Sequence, residues 1–162
     1  MRRRKLVGER IISDRIPKSP IIDKHSASVL ALRLSEFVDK YLRGAATVSV
    51  GRVDTGTVSI CTYFTAYLIR LTVEHLAIDS PIEIKYAAFD GFLRLRIDYE
   101  GEADEEALAL MSRVAADAGF EAVMDDGVIA FMSRFVYTAE LSLYATEPKQ
   151  FYYDLCDIFF LP

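Results

Sequence analysis

The side chains of this sequence that could do chemistry are few and widely spaced. The chain has two histidines, His25 and His75, and two cysteines, Cys61 and Cys156. A zinc site needs closely spaced Cys and His ligands, and these four do not form such a set. No phosphate-binding loop, zinc-protease motif or Ser/His/Asp set is present either. We therefore expect no bound metal, and the two cysteines, which have apolar neighbours, are predicted to be small buried side chains.

A second group of polar residues lies around one predicted helix and the strand pair after it. Glu74 and His75 are near the end of that helix, and Asp98 is near the end of a strand further along the chain. His75 shares a helical face with Leu68 and Leu71, which indicates a hydrogen-bonded histidine in the core or in a cleft. A His75 that accepts a phosphoryl group is the alternative.

The size and composition are typical of one compact domain. With 162 residues, of which 52% are hydrophobic and 27% charged, the chain is long enough to bury a core. It lacks an uncharged apolar run of about 18 residues, and the basic start MRRRK precedes LVGERIISDR rather than an apolar signal core. We therefore expect no membrane span and a cytoplasmic location.

Charge is unevenly distributed along the chain. Residues 1–20 hold seven Arg or Lys and two acids, a net charge of +5, so the rest must carry −10 to reach the total of −5. We assign residues 1–22 to a basic N-terminal arm and residues 23–162 to a single domain. The arm alone could contact an acidic partner, anionic lipid or nucleic acid. The acidic domain is not expected to bind nucleic acid, because phosphate contacts require clustered Lys and Arg.

The first half of the domain is predicted to contain two helices with two strands between them. Apolar periodicity predicts a helix from about Ser26, which Gly44 can end. Residues 46–62 alternate and are rich in Val, Thr and Ile, with DTG at 54–56 as a turn between two short strands. The second helix, about 63–77, is apolar on most sides, so it is predicted to be the most buried helix.

Two hairpins with Asp-Gly turns make up most of the second half. IEIKYAAF and FLRLRIDY flank Asp90-Gly91, and FEAVM and VIAFMSRFVY flank Asp126-Gly127. A third helix, capped by Asp104, lies between the two hairpins. A strand ELSLYA and an aromatic helix from about Pro148 complete the chain.

The first hairpin has one apolar face and one charged face. Alternation places Lys85 opposite Arg96 and Glu83 opposite Asp98, which is unfavourable unless diagonal pairs such as Glu83 with Arg96 compensate. This face is either a solvated surface or a charged binding surface.

The order of these elements predicts the fold class. Because most strands are joined by tight turns, the sheet should be mixed and mostly antiparallel, with the helices on one face. The expected fold is therefore α+β, a two-layer α/β sandwich.

Both the element order and the local sequence resemble the ATP-binding domain shared by sensor histidine kinases, gyrase, the large heat-shock chaperone and the mismatch-repair ATPases. FTAYLIRLTVEHLAIDSPIEIKY resembles the first nucleotide-binding helix of this superfamily and the strand after it. LRLRIDYEG resembles the strand before its Asp-x-Gly-x-Gly turn, and ALMSRVAADAGFEAVMDDGVIAFMSRF its last helix and closing hairpin. The resemblance covers about residues 45–136.

The chain departs from this superfamily at the positions that would bind nucleotide. If Glu74 matches the family's glutamate, the asparagine that would hold magnesium falls on His75, and imidazole is a poor ligand for this oxygen-preferring ion. Asp98 matches the acid that would bind the adenine amino group. The glycine pattern after it is missing, since Gly101 is out of step. The resemblance thus implies a weak nucleotide site at Glu74, His75, Asp98 and Gly101 at most.

The phosphate-binding part of the superfamily's site has also changed. The lid and second glycine-rich turn are replaced by about five residues before the third helix. Four acids crowd the start of that helix, where a phosphate-binding protein would offer amides and Lys or Arg; these acids are Glu102, Asp104, Glu105 and Glu106. We expect neither ATP nor magnesium as a cofactor.

Two functions remain open at this level. The first is a non-catalytic, degenerate member of the kinase-like ATPase fold that acts as an interaction or scaffold module in bacterial signalling. It would have a protein partner of unknown identity or form a homodimer. The second is a nucleotide-binding protein or histidine phosphotransferase with a residual cleft near Glu74, His75 and Asp98. His25 is then a candidate phosphoacceptor, and otherwise a loop or cap residue.

Overall fold

A computed structural model describes residues 23–77, 80–100, 103–133 and 149–159, together with the backbone of residues 5–7 and 10–12. The helices are α1 (Ala27–Tyr41), α2 (Thr62–Leu76), α3 (Glu105–Asp117) and α4 (Lys149–Ile158). The strands are β1 (Lys5–Val7), β2 (Arg10–Ile12), β3 (Asp23–Ser26), β4 (Ala46–Val53), β5 (Thr57–Ile60), β6 (Ile82–Phe89), β7 (Phe92–Asp98), β8 (Phe120–Asp125) and β9 (Val128–Ser133).

The main sheet has five strands in the order β4-β6-β7-β9-β8. β4 pairs with β6 in parallel, because α2 carries the chain across the sheet between them. The other three pairings are antiparallel. The predicted mixed, mostly antiparallel sheet is therefore confirmed.

Both predicted hairpins form around their Asp-Gly turns. Asp90 and Gly91 have φ values of 55° and 80°, and Gly127 has a φ of 73°. In the first turn, positive φ at both central residues matches the twist of the adjoining strands, and in the second turn only Gly127 has a positive φ. The predicted register is also confirmed, with Tyr86 opposite Leu95 and Ala88 opposite Leu93.

The helices pack on one face of the main sheet. Ile84, Leu95 and Phe131 point to that face and are almost fully buried, whereas the charged residues that alternate with them in β6 and β7 face outward. α2 buries most of its residues, as its all-round apolar pattern predicts. The hydroxyl of Tyr86 donates a 2.6 Å hydrogen bond to the carbonyl of Ala27, which ties the start of α1 to the sheet.

The two strands predicted on either side of the turn at 54–56 form as β4 and β5. They do not pair with each other. β5 instead pairs antiparallel with β3, a strand that the sequence pattern did not reveal. The reason is long-range: the N–H of Ala27 donates to the carbonyl of Gly56 at 3.0 Å, which holds the start of α1 beside the turn.

The predicted C-terminal helix is confirmed as α4, which packs against α1 and α2. Asp154 accepts a short hydrogen bond from the hydroxyl of Tyr41 and pairs with Lys40 at 3.3 Å. Arg70 of α2 stacks over the ring of Phe151, 5.2 Å from its centroid. Residues 27–133 and α4 thus contribute to one hydrophobic core. The predicted strand at 140–145 lies outside the described residues.

Candidate functional site

Asp98 lies at the end of β7 and points away from the helices. Its carboxylate accepts hydrogen bonds from Lys85 Nζ at 2.8 Å and from Arg96 Nε at 3.2 Å. The hydrogen bond from Lys85, with a contribution from Arg96, lowers the pKa of Asp98 below its ordinary value. The acid that the resemblance assigned to adenine binding is therefore already engaged by two cations.

The charged face of β6 and β7 has the predicted register, but the diagonal ion pair that offsets the like charges differs from the expected one. Lys85 lies opposite Arg96 and Glu83 opposite Asp98. The diagonal pair that forms is Lys85 with Asp98, whereas Glu83 accepts a 2.8 Å hydrogen bond from the hydroxyl of Ser49 on β4. The expected Glu83–Arg96 pair is not what the structure shows, because Arg96 also bonds to Asp98 on its own strand.

Glu74 and His75 lie on the last turn of α2, and both are exposed. Glu74 pairs with Arg70 one turn earlier, with 3.0 Å between Nε and Oε1. The interpretation of His75 as a core or cleft histidine is wrong. Val73 and Leu76 lie on the side of α2 that packs into the core and are buried. His75 lies on another side of the helix and is exposed.

Of the residues in the predicted nucleotide site, Glu74 and His75 lie on α2 and Asp98 lies on β7. Asp98 points to the open face of the sheet, whereas α2, which carries Glu74 and His75, packs on the opposite face. Asp98 instead lines an open depression of about 310 Å³ with Ser80, Pro81 and Glu100. Gly101 lies outside the described residues.

The first turn of α3 is occupied by its own side chains. Asp104 caps the helix, because its Oδ1 accepts a 3.2 Å hydrogen bond from the N–H of Glu106. Glu105 and Glu106 occupy the first turn, where the helix dipole favours negative charge. Glu102, the fourth acid of the predicted cluster, lies outside the described residues. A phosphate at this helix end would meet an acidic surface.

His25 lies in β3 and not in a loop, which corrects its alternative interpretation as a loop or cap residue. Its Nε2 is 2.8 Å from the hydroxyl of Thr62 at the start of α2, and its ring meets the edge of Phe159 of α4, with centroids 6.3 Å apart. Burial lowers the pKa of His25, although the charge of Asp23 partly offsets this effect. His25 thus connects β3 with α2 and with the end of α4, and its Nε2 takes part in a hydrogen bond.

A second depression, larger than the one beside Asp98, lies at the opposite end of the sheet, and sequence reasoning missed it. It has a volume of about 560 Å³ and lies between the two turns at residues 54–56 and 90–91. Asp54 connects these turns, because its Oδ2 accepts a 3.0 Å hydrogen bond from the N–H of Asp90. Both turns were predicted, but their proximity depends on the parallel pairing of β4 with β6, which no local pattern reveals.

Two features are absent from the described residues. No group of three or more His, Cys, Asp or Glu side chains in this part of the chain could hold a metal ion. No helix among these residues is long and apolar enough to cross a membrane. Cys61 and Cys156 are both buried, as predicted.

Comparisons with known proteins concern the fold alone. No protein-family model matches the chain, and no curated protein matches it significantly. Several solved structures are similar to this chain at low sequence identity. The histidine kinase AdeS of Acinetobacter baumannii is 11% identical over 70% of this chain and 67% of its own, with a TM-score of 0.47. The histidine kinase domain of the E. coli osmosensor EnvZ is 11% identical over 80% of this chain and 96% of its own, with a TM-score of 0.46. The catalytic domain of histidine kinase ThkA is 9% identical over 69% of this chain and 94% of its own, with a TM-score of 0.44.

These three solved structures are named as histidine kinases or as domains of histidine kinases. Their identities of 11% or less and TM-scores below 0.5 carry no argument about activity. The chain itself has the two-layer architecture that the resemblance implied, with five strands on one side and helices on the other. The chain thus adopts the two-layer α/β fold that was expected from its sequence.

Proposed function

We propose that this chain is a non-catalytic interaction or scaffold module built on a degenerate histidine-kinase-like ATPase fold. The observation that carries the proposal is the separation of the residues that would have to bind nucleotide. Asp98 is held by Lys85 and Arg96 on the open face of the sheet, while Glu74 and His75 are exposed on a helix of the other face. This arrangement of the three side chains supports a fold that no longer binds nucleotide.

The charge at the start of α3 supports the same proposal. Phosphate binds well at helix N-termini because free backbone N–H groups point toward it. Here the Asp104 carboxylate already accepts from the N–H of Glu106, and two further glutamate side chains add negative charge. The resemblance to sensor kinases makes bacterial signalling the natural setting for such a module.

A thermal-shift titration tests the absence of nucleotide binding. ATP and ADP would be added up to millimolar concentration, each with and without magnesium, to the wild type and to Asp98→Ala. We expect no change in Tm. A ligand at a hundred times its Kd would stabilise the fold by about 2.7 kcal/mol, which raises Tm by about 5–10 °C in a chain of this size. Saturable stabilisation that is lost in Asp98→Ala would contradict the proposal and favour a nucleotide-binding protein.

The interaction role is tested by the size of the particle in solution. Light scattering over a hundredfold range of protein concentration would reveal a homodimer as a mass that doubles with concentration. A constant monomer mass would direct the search toward a different protein as the partner.

A further inference from the structure

Two arginines lie over one aromatic ring at an end of the main sheet. The guanidinium carbon of Arg52 is 4.7 Å from the centroid of the Phe89 ring, and that of Arg94 is 5.6 Å from the same centroid. Phe89 is at the end of β6 that is furthest from Asp98, and both arginines are exposed. We call Arg52 and Arg94 the arginine pair. Because both cations lie against one ring, they are close enough to repel each other at moderate ionic strength.

Arg94 has no acid beside it on the neighbouring strands. The described residues that flank it on β6 and β9 are Lys85, Ala87, Phe89, Ala130 and Met132. The two other outward cations of the first hairpin, Lys85 and Arg96, share the carboxylate of Asp98. Among the described residues, no acid forms an ion pair with Arg94. A cation placed among apolar and basic side chains departs from favourable cross-strand pairing, and such departures are expected at functional sites.

Arg52 is only loosely paired with an acid. Its Nε is 3.9 Å from Oδ1 of Asp54, which is longer than the roughly 2.7–2.9 Å of a charge-assisted hydrogen bond. The other oxygen of this carboxylate accepts a 3.0 Å hydrogen bond from the N–H of Asp90, so Asp54 is held by the turn. The Arg52 side chain is 66% exposed. It can therefore exchange its contact with Asp54 for a carboxylate that approaches from solvent.

The chemistry of the arginine pair favours a carboxylate as the ligand. A guanidinium presents paired N–H donors in one plane, which match the two oxygens of a carboxylate. A carboxylate bound beside both cations would also reduce the repulsion between them. The ring of Phe89 restricts both side chains before binding, which lowers the conformational entropy that binding costs.

The charge around the arginine pair disfavours a nucleic acid as the ligand. Asp54 and Asp90 line the same depression as Phe89, so two acids lie close to the pair. Residues 23–162 carry a net charge of −10, and a long phosphate backbone would therefore also meet acidic surface. A protein segment with one or two carboxylates needs only the two arginines.

We propose that the arginine pair on Phe89 is a docking site for an acidic segment of a partner protein. The two guanidinium groups bind carboxylates of that segment, as arginine clusters do in the recognition of acidic motifs. This inference rests on the proposed interaction role and names the surface and the chemistry of the partner.

The test uses two synthetic peptides as probes. A capped Gly-Glu-Ala-Glu-Gly peptide carries two carboxylates on one side of an extended chain, and a capped Gly-Gln-Ala-Gln-Gly peptide has the same shape without the charges. Each peptide is added to the isotope-labelled full chain at low salt, and the Nε–H signals of the arginines are followed by NMR. We expect the Glu peptide to shift the signals of Arg52 and Arg94 saturably, and the Gln peptide to shift neither. Added salt should weaken this binding.

Variants separate the charge, the planar donors and the ring. Arg94→Gln removes one charge and should weaken binding of the Glu peptide about two- to fivefold, the range for an exposed ion pair. Arg94→Lys keeps the charge without the planar donors, so it should recover only part of this loss. Phe89→Leu keeps both arginines but removes the ring that restricts them, and should weaken binding about twofold. Arg113→Gln, the same charge change on the exposed side of α3, is the control and should leave binding unchanged.

Each outcome decides the inference. Saturable shifts that require both the Glu side chains and Arg94 support it. Equal binding of the Gln peptide overturns it, and so does equal weakening by Arg94→Gln and Arg113→Gln. A short oligothymidylate that binds at the same signals more tightly than the Glu peptide overturns it in favour of a nucleic acid. Light scattering that shows a dimer of the wild type and a monomer of Arg94→Gln overturns it in favour of a second copy of this chain.

Failure of this inference is distinguishable from failure of the proposed function. If neither peptide binds and nucleotides do not stabilise the fold, the interaction role remains and uses another surface. If nucleotides do stabilise the fold, the proposed function itself fails.

Discussion

The carboxylate of Asp98 lies 2.8 Å from Lys85 Nζ, which places this acid on the open face of the sheet rather than toward the helices. The register of β6 and β7 decides this, because residues two apart in a strand share a face and Asp98 alternates with the buried Ile97. The same alternation that builds the core thus directs Asp98 away from the side of the sheet that packs against the helices.

Replacing Asp98 by a neutral residue should weaken the dependence of the unfolding free energy on pH at acidic pH. Its folded pKa is below the ordinary value of 3.8, mainly because Lys85 donates to it. The unfolded carboxyl therefore binds a proton first as pH falls. The stabilisation is present above the ordinary pKa and is lost as pH falls through the folded pKa. We expect Asp98→Asn to lower the unfolding free energy by a few tenths of a kcal/mol at pH 6, since the pair is partly exposed.

Urea denaturation in low salt between about pH 6 and pH 3 would measure this difference. Asp39→Asn is the control, because the Asp39–Arg43 pair is longer, at 4.0 Å, and more exposed. If the wild type and Asp98→Asn have parallel profiles, the Lys85–Asp98 hydrogen bond does not contribute to stability in solution.

His25 should make the fold sensitive to mild acid. Burial lowers its folded pKa below the ordinary 6.5, so the unfolded chain binds the proton more readily. The contribution of neutral His25 to the unfolding free energy is therefore complete above about pH 6.5, and it decreases as pH falls from there toward the folded pKa. We expect the wild-type Tm to decrease between pH 7.5 and pH 5.5 more than that of His25→Gln, which carries no titratable group there.

A second variant separates the titration of His25 from its hydrogen bond. Thr62→Val removes the hydroxyl that lies 2.8 Å from Nε2 and should lower stability at neutral pH by about 1 kcal/mol. It keeps the histidine and hence a dependence on pH. Calorimetry of the wild type, His25→Gln and Thr62→Val would measure Tm against pH over this range. If Tm changes with pH equally in the wild type and in His25→Gln, His25 is not the titrating group.

Removing the cap of α3 should destabilise the helix. Asp104→Ala takes away the acceptor for the N–H of Glu106 and should cost about 1 kcal/mol of unfolding free energy. Asp104→Ser can still accept from this N–H and should recover most of the loss. Chemical denaturation monitored by far-UV circular dichroism would measure both; equal stability of Asp104→Ala and the wild type would show that the cap is not needed.

The turn between β6 and β7 should tolerate a side chain poorly at its second position. Gly91 has a φ of 80°, and a Cβ there would meet no atom within 4 Å, so Gly91→Ala tests backbone strain alone. We expect a loss of about 1 kcal/mol. Gly56→Ala is the matched control, since that site is equally open without a positive φ. Thermal unfolding that ranks Gly56→Ala as the more damaging change would contradict this account.

The elements that depend on nearby residues were predictable from the sequence. The β6–β7 hairpin follows from alternation and an Asp-Gly turn, and the start of α3 follows from the Asp104 cap, so short-range geometry is enough to define each of them. The buried face of the sheet follows from the same alternation, and with it the outward position of Lys85 and Arg96.

Pairings between distant segments were decided by the tertiary structure alone. β5 leaves the predicted turn to pair with β3, which places His25 against Thr62 and Phe159 and lowers its pKa. His75 is exposed because it lies on a side of α2 that does not pack into the core, whereas Val73 and Leu76 do. Local patterns encode which side of an element is apolar, but which elements meet depends on how the whole chain buries those sides together.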